Sequence, residues 1–131
     1  MPGKIFISYR RDDAKAEARS IYQHLAQTFG EARLFIDVDT IPKGLDFAIE
    51  LENTLNETGV LLAVIGKSWL NQTDEMGDRR LDNRADYVRR EIAHALQRGI
   101  PVIAVRVDGA SMPSVAELPD DLSGLARRQG S

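Results

Sequence analysis

With 131 residues, 43% of them hydrophobic and 28% charged, the chain has the composition of one globular domain, large enough to bury about two thirds of its unfolded surface. It has no cysteine and only two histidines, which excludes disulfides and thiolate metal sites and leaves no material for a histidine-rich metal centre. A net charge of −3 argues against general nucleic-acid binding, and no run nears about eighteen consecutive apolar residues, so no membrane span or signal peptide is expected and a cytoplasmic location is.

The first apolar run, residues 4–9, is short and rich in Ile and Phe, as a strand requires. After it, Ala18, Ile21, Tyr22, Leu25 and Phe29 follow helical spacing, with Asp12 or Asp13 as N-cap and Gly30 as the stop. Residues 33–38 form the second strand, and residues 39–45, with Pro42 and Gly44, form a loop. Asp46 then caps a helix carrying Ala48, Leu51 and Leu55. The third strand, residues 59–65, is almost continuously apolar, as expected of a strand covered on both faces.

A polar loop follows at residues 71–85, long for a connector and for that reason a candidate for function. Its basic residues, Arg79, Arg80 and Arg84, are too few for a nucleic-acid patch. Val88, Ile92, Ala95 and Leu96 then share one helical face, and Gly99 and Pro101 end that helix. Residues 100–107 supply the fourth strand. Strand–helix alternation of this kind predicts a parallel sheet with helices on both faces. There are no internal repeats.

In open α/β sheets ligands bind beyond the carboxyl ends of the strands. That rule selects Ser8, Arg10 and Arg11 after the first strand, Asp37 at the end of the second, and Lys67, Ser68 and Trp69 after the third. Arg10, Arg11 and Lys67 put positive charge on one rim, beside the N-terminus of the first helix, which suits a phosphate-bearing ligand. Tyr87 and Glu91 lie one turn apart on one stripe of the third helix, Glu91 about 85° from the centre of its apolar face, at the border with solvent. Taken alone, that segment also reads as a surface glutamate paired with Arg90 or Arg98.

Neither a dinucleotide-binding glycine fingerprint nor a P-loop occurs, which disfavours hydride transfer and nucleotide triphosphate hydrolysis. No Ser or Cys sits in a nucleophile elbow. A lone glutamate beside aromatic and basic groups fits stabilisation of a cationic, sugar-centred transition state better than proton relay or acyl transfer.

The run KIFISYRR at residues 4–11, LFID at 34–37 with IPKG at 41–44, and DYVRREI at 86–92 together resemble the TIR (Toll/interleukin-1 receptor) domain. They resemble its bacterial branch, and also the TIR domain of the animal NAD hydrolase of axon degeneration. The resemblance runs from residue 4 to about residue 125. It implies a flavodoxin-like α/β three-layer sandwich with a central parallel sheet of order 2-1-3-4-5. The enzymatic members cleave the nicotinamide–ribose bond of NAD⁺, which enters as substrate with no resident cofactor or metal. By resemblance, Glu91 is the catalytic carboxylate and Tyr87 the aromatic one turn before it, where the family commonly has Trp. Arg10 and Arg11 match the family's arginine pair. In such a cleavage Arg10 and Arg11 are expected to hold the diphosphate and Tyr87 to pack on an aromatic ring of the substrate, while Trp69 reads as packed more readily than as a second stacking residue. Residues 39–45 match the loop used for TIR–TIR assembly, so Asp39, Ile41, Pro42, Lys43 and Gly44 are expected at a homo-oligomer contact. The implied setting is bacterial defence signalling.

The end of the chain departs from that pattern. After the fourth strand no further apolar strand is readable, so the fifth is expected to be absent or truncated, in a domain spanning residues 1–131 that is cut short or belongs to a longer protein. One sheet edge is then uncovered, which favours oligomerisation. Two other readings stay open: a non-catalytic TIR–TIR signalling module, and a nucleoside deoxyribosyltransferase-like enzyme. A receiver domain is excluded, since the third strand ends Val64-Ile65-Gly66 without a phosphorylatable aspartate.

Overall fold

A computed structural model describes residues 3–36 and 45–129 of the chain, with backbone alone for 45–47 and 127–129. Four strands, β1 (Lys4–Ser8), β2 (Leu34–Phe35), β3 (Thr58–Ile65) and β4 (Val102–Arg106), form a parallel sheet in the order β2-β1-β3-β4. Four helices, α1 (Arg11–Phe29), α2 (Leu45–Asn56), α3 (Tyr87–Gln97) and α4 (Ser123–Gln129), cover it. The parallel sheet with helices on both faces expected from the strand–helix alternation is the observed one, in the flavodoxin-like strand order that the resemblance implied.

Period-two alternation along β3 explains why its sequence is apolar throughout. Leu61, Ala63 and Ile65 face a core with Phe6 and Val102 of the sheet, Leu51 and Leu55 of α2, and Val88, Ile92 and Ala95 of α3. Val64 faces the opposite layer, where Ile7 and Tyr9 meet Ala14 and Ala18 of α1. Both faces are thus buried, and neither tolerates a polar side chain.

Gly30 stops α1 at φ 87°, its N–H donating to the Ala26 carbonyl. The expected cap is not found at the other end. Arg10 holds the N-cap position without a side-chain capping bond to the helix, and Ala14, at φ −143° and ψ 36°, kinks the first turn. The Asp13 carboxylate instead crosses to the loop after β3, accepting the Gly66 N–H at 2.8 Å and the Ser68 N–H at 2.7 Å. Phe29 and Ala48, both expected on apolar faces, are exposed, because each lies at an end of its helix beyond the reach of the sheet. The Asp46 side chain lies outside what is described.

For α3 the expected C-terminal stop at Gly99 holds, and the structure adds the N-terminal cap. Asp86 is the N-cap and accepts the Arg89 N–H at 3.1 Å. At the other end Gly99, φ 76°, donates to Leu96 O while Ile100 N–H reaches Ala95 O, the paired bonds of a Schellman motif. The chain after β4 makes two 3₁₀ turns, Val115–Glu117 and Asp120–Leu122, and then α4. Leu122 and Leu125 sink into the core beside α3, so a tail that shows no strand pattern closes the domain as a helix packed on β4. No fifth strand occurs among the described residues, and β4 is the sheet's edge.

Candidate functional site

The carboxyl end of β1 and the first turns of α3 meet through one buried contact. Ser8 Oγ donates to Glu91 Oε1 at 2.8 Å, and Glu91 is only 4% exposed. This corrects the expectation that Glu91 sits at the solvent border. Helical angle places it beside the apolar stripe, but β1 runs close enough to cover that flank as well. A carboxylate so placed has its orientation set by a hydroxyl from the adjacent strand.

Arg10, the next candidate along β1, is 3% exposed and reaches Asp86 with both terminal nitrogens, Nη1 to Oδ1 at 2.9 Å and Nη2 to Oδ2 at 2.7 Å. Its Nε donates to the Trp69 carbonyl at 3.1 Å. Every nitrogen of the fork is therefore engaged, and the guanidinium is spent on tying the N-cap of α3 to the end of β1 and the loop after β3. Of the two readings of Trp69, packed or ligand-stacking, the structure has the packed one. Trp69 is fully buried, with the Arg10 guanidinium carbon 6.0 Å from its ring.

Tyr87 is half-buried one turn before Glu91 and borders two clefts. One, about 190 Å³, is lined by Tyr9, Arg11, Asp12, Asp86 and Val88 among others. The second, about 310 Å³, is lined by Asp74, Asn83 and Ala85. Arg80, Asp86 and Tyr87 belong to both. Arg11 is exposed at this rim. Lys67 is not brought to it: it borders a separate cleft of about 300 Å³ between the ends of β3 and β4, with Leu70, Asn71 and Met112. Ser68 is exposed and tied by its N–H to Asp13. Asp37, Asp39, Ile41, Pro42, Lys43 and Gly44 lie outside the described residues.

A further cavity of about 560 Å³ runs along α3 past Arg90, His94 and Gln97 to Asp120 and Asp121, and contains none of the candidate residues. Among the described residues no three His, Asp or Glu side chains group as a metal site, and no helix is long and apolar enough to cross a membrane.

Two residues of this site escaped the sequence. Asp86 carried a readable signal, an N-cap residue directly before an amphipathic helix, but its second role as the partner of Arg10 depends on a residue 76 positions away. Arg80 carried none, since nothing local distinguishes it from Arg79 and Arg84.

Comparison with curated proteins gives no match for this chain. A family model described as TIR domain matches residues 5–129. That family holds both NAD-cleaving and non-catalytic signalling members, and its domains commonly self-associate. With the sheet order β2-β1-β3-β4, helices on both faces, and a match from the first strand to the last helix, the chain belongs to the TIR domain family.

Proposed function

We propose that the chain cleaves the nicotinamide–ribose bond of NAD⁺. The observation that carries this reading is the Ser8–Glu91 pair, a carboxylate oriented by a hydroxyl at the carboxyl end of β1, one turn from the aromatic wall Tyr87. In the reaction the C–N glycosidic bond breaks and its electron pair leaves with neutral nicotinamide. Charge develops on the ribose, and the Glu91 carboxylate, accepting hydrogen bonds from the ribose hydroxyls, stabilises it. Tyr87 packs on the departing ring. Water then forms the new C–O bond and releases a proton, giving ADP-ribose; attack by a nucleophile of the same molecule gives a cyclic isomer instead. Self-association through residues 39–44 belongs to the same proposal.

Glu91→Gln keeps side-chain volume and a hydrogen-bond acceptor for Ser8 while removing the charge. Its expected cost is on the order of 3–5 kcal/mol in the barrier, roughly 10²–10³-fold in rate. The test is to incubate concentrated protein with NAD⁺ and resolve products by chromatography and mass spectrometry. Nicotinamide release that disappears in Glu91→Gln supports the enzyme, and the co-product separates hydrolysis from cyclisation. Release that persists in the variant overturns the role of Glu91.

A second reading, a signalling module that only assembles, draws on the burial of the same pair. There the Ser8–Glu91 bond serves solely to tie α3 to β1. Absence of nicotinamide release at every protein concentration selects it.

A further inference from the structure

We propose that Arg80 receives the diphosphate of a dinucleotide and that Asp12 holds the place of that anion in its absence. The inference rests on the NAD⁺ reading of this site and deepens it, because it names a residue of the polar loop as what separates a dinucleotide from a nucleoside.

The two clefts beside Tyr87 share a single wall made of Arg80, Asp86 and Tyr87. A molecule with two bulky ends joined by an anionic centre, laid along both, puts its centre at that wall. The cleavable ribose then lies in the cleft of Tyr9 and Val88, of which Tyr9 is the chain neighbour of Ser8, and the other nucleoside in the cleft of Asp74 and Asn83. Asp86 adds no net repulsion, since Arg10 neutralises it with two bonds.

Arg80 is the cation of the shared wall and has donors to offer an anion laid there. All three nitrogens of Arg10 are committed. Arg80 commits only Nε, to Thr73 O at 3.2 Å, and one contact from Nη2, to Asp12 Oδ2 at 3.4 Å. Its Nη1 has no partner among the described residues, so much of the planar fork that suits phosphate remains unused. The Asp12 contact is long, and its side chains are 36% and 62% exposed for Arg80 and Asp12, which makes it a surface ion pair that a phosphate displaces at little cost.

The loop also holds Arg80 firmly. Arg80 N–H donates to Gln72 O, Asp74 N–H donates to Asp78 O, and the adjacent Leu81 is fully buried with its carbonyl accepting from Arg89. A guanidinium mounted this way is pre-positioned, which limits the entropy lost on binding.

The test is calorimetric titration with inorganic pyrophosphate of the natural chain and of Arg80→Gln, Arg80→Lys and Asp12→Asn. Arg80→Gln is expected to weaken binding by about tenfold or more, and Arg80→Lys by less because it keeps the charge and loses the fork. Asp12→Asn is expected to tighten it, a gain that misfolding cannot produce. In cleavage, Arg80→Gln should lower kcat/KM for NAD⁺ at least about tenfold more than for nicotinamide riboside, which lacks the diphosphate. Unchanged pyrophosphate affinity in Arg80→Gln, weaker binding in Asp12→Asn, or equal losses on both substrates overturns the assignment. If neither substrate is cleaved, the NAD⁺ reading fails and the pyrophosphate titrations still decide the role of Arg80.

Discussion

At the scale of single residues, the site is built from side chains held by partners far away in sequence. Asp13 is the clearest case: a residue placed to cap a helix instead closes the loop after β3, and the close approach explains why position 66 is glycine. A Cβ at Gly66 would lie 2.5 Å from Asp13 Oδ1, so any other residue expels the carboxylate and breaks both of its bonds. Gly66→Ala is therefore expected to destabilise the fold by about 2 kcal/mol, seen as a lowered Tm. In the Asp13→Ala background the same change should cost much less, because the clashing oxygen is gone; equal costs in both backgrounds would show that the clash is not the cause.

At the scale of elements, α3 carries Tyr87 and Glu91 of the proposed site, and its start is fixed by Asp86. That residue caps the helix and neutralises the buried Arg10 at the same time. Asp86→Ala removes the cap and leaves a guanidinium buried without its charge partner, so a loss of about 3–5 kcal/mol is expected in urea unfolding. Asp86→Asn retains a capping oxygen and one acceptor for Arg10 and should lose less. Equal losses would mean that the cap and the remaining acceptor contribute nothing and that the lost charge carries the whole effect. The strands and this helix were legible in the sequence because both ends of α3 carry local signals and each strand is a short apolar run. α4 was not, since Leu122 and Leu125 gain their meaning only from a core assembled by elements far upstream.

At the scale of the whole molecule, the layer carrying α2 and α3 is tied together by charge. His94 Nδ1 lies 2.8 Å from Glu52 Oε1, and Arg98 donates to Glu52 Oε2 and to Asn56 Oδ1. The hydrogen bond from His94 holds the Glu52 carboxyl below its ordinary value; partial burial opposes this and the Arg98 charge adds to it. A carboxyl lowered in the folded state stabilises the fold above its unfolded pKa, and that contribution disappears as pH falls through the folded value. Because Glu52 is 44% exposed, screening limits the effect to a few tenths of a kcal/mol. Thermal melts of the natural chain and Glu52→Gln should therefore differ slightly near pH 7 and converge as pH falls through the lowered Glu52 value. A difference that grows in acid would contradict this account.

What could be read from the residues in order was whatever local physics encodes: strand–helix alternation, the two-sided burial of β3, the ends of α3, and the motifs shared with TIR domains. Periodicity suffices for these because neighbours in sequence are neighbours in space. Partnership could not be read. That Glu91 is buried against Ser8, that Arg10 is consumed by Asp86, that Trp69 is core, and that Arg80 stands between two clefts all depend on residues dozens of positions apart. Such contacts exist only once the sheet has brought its carboxyl ends together, because hydrogen bonds and burial act over a few ångströms regardless of distance along the chain.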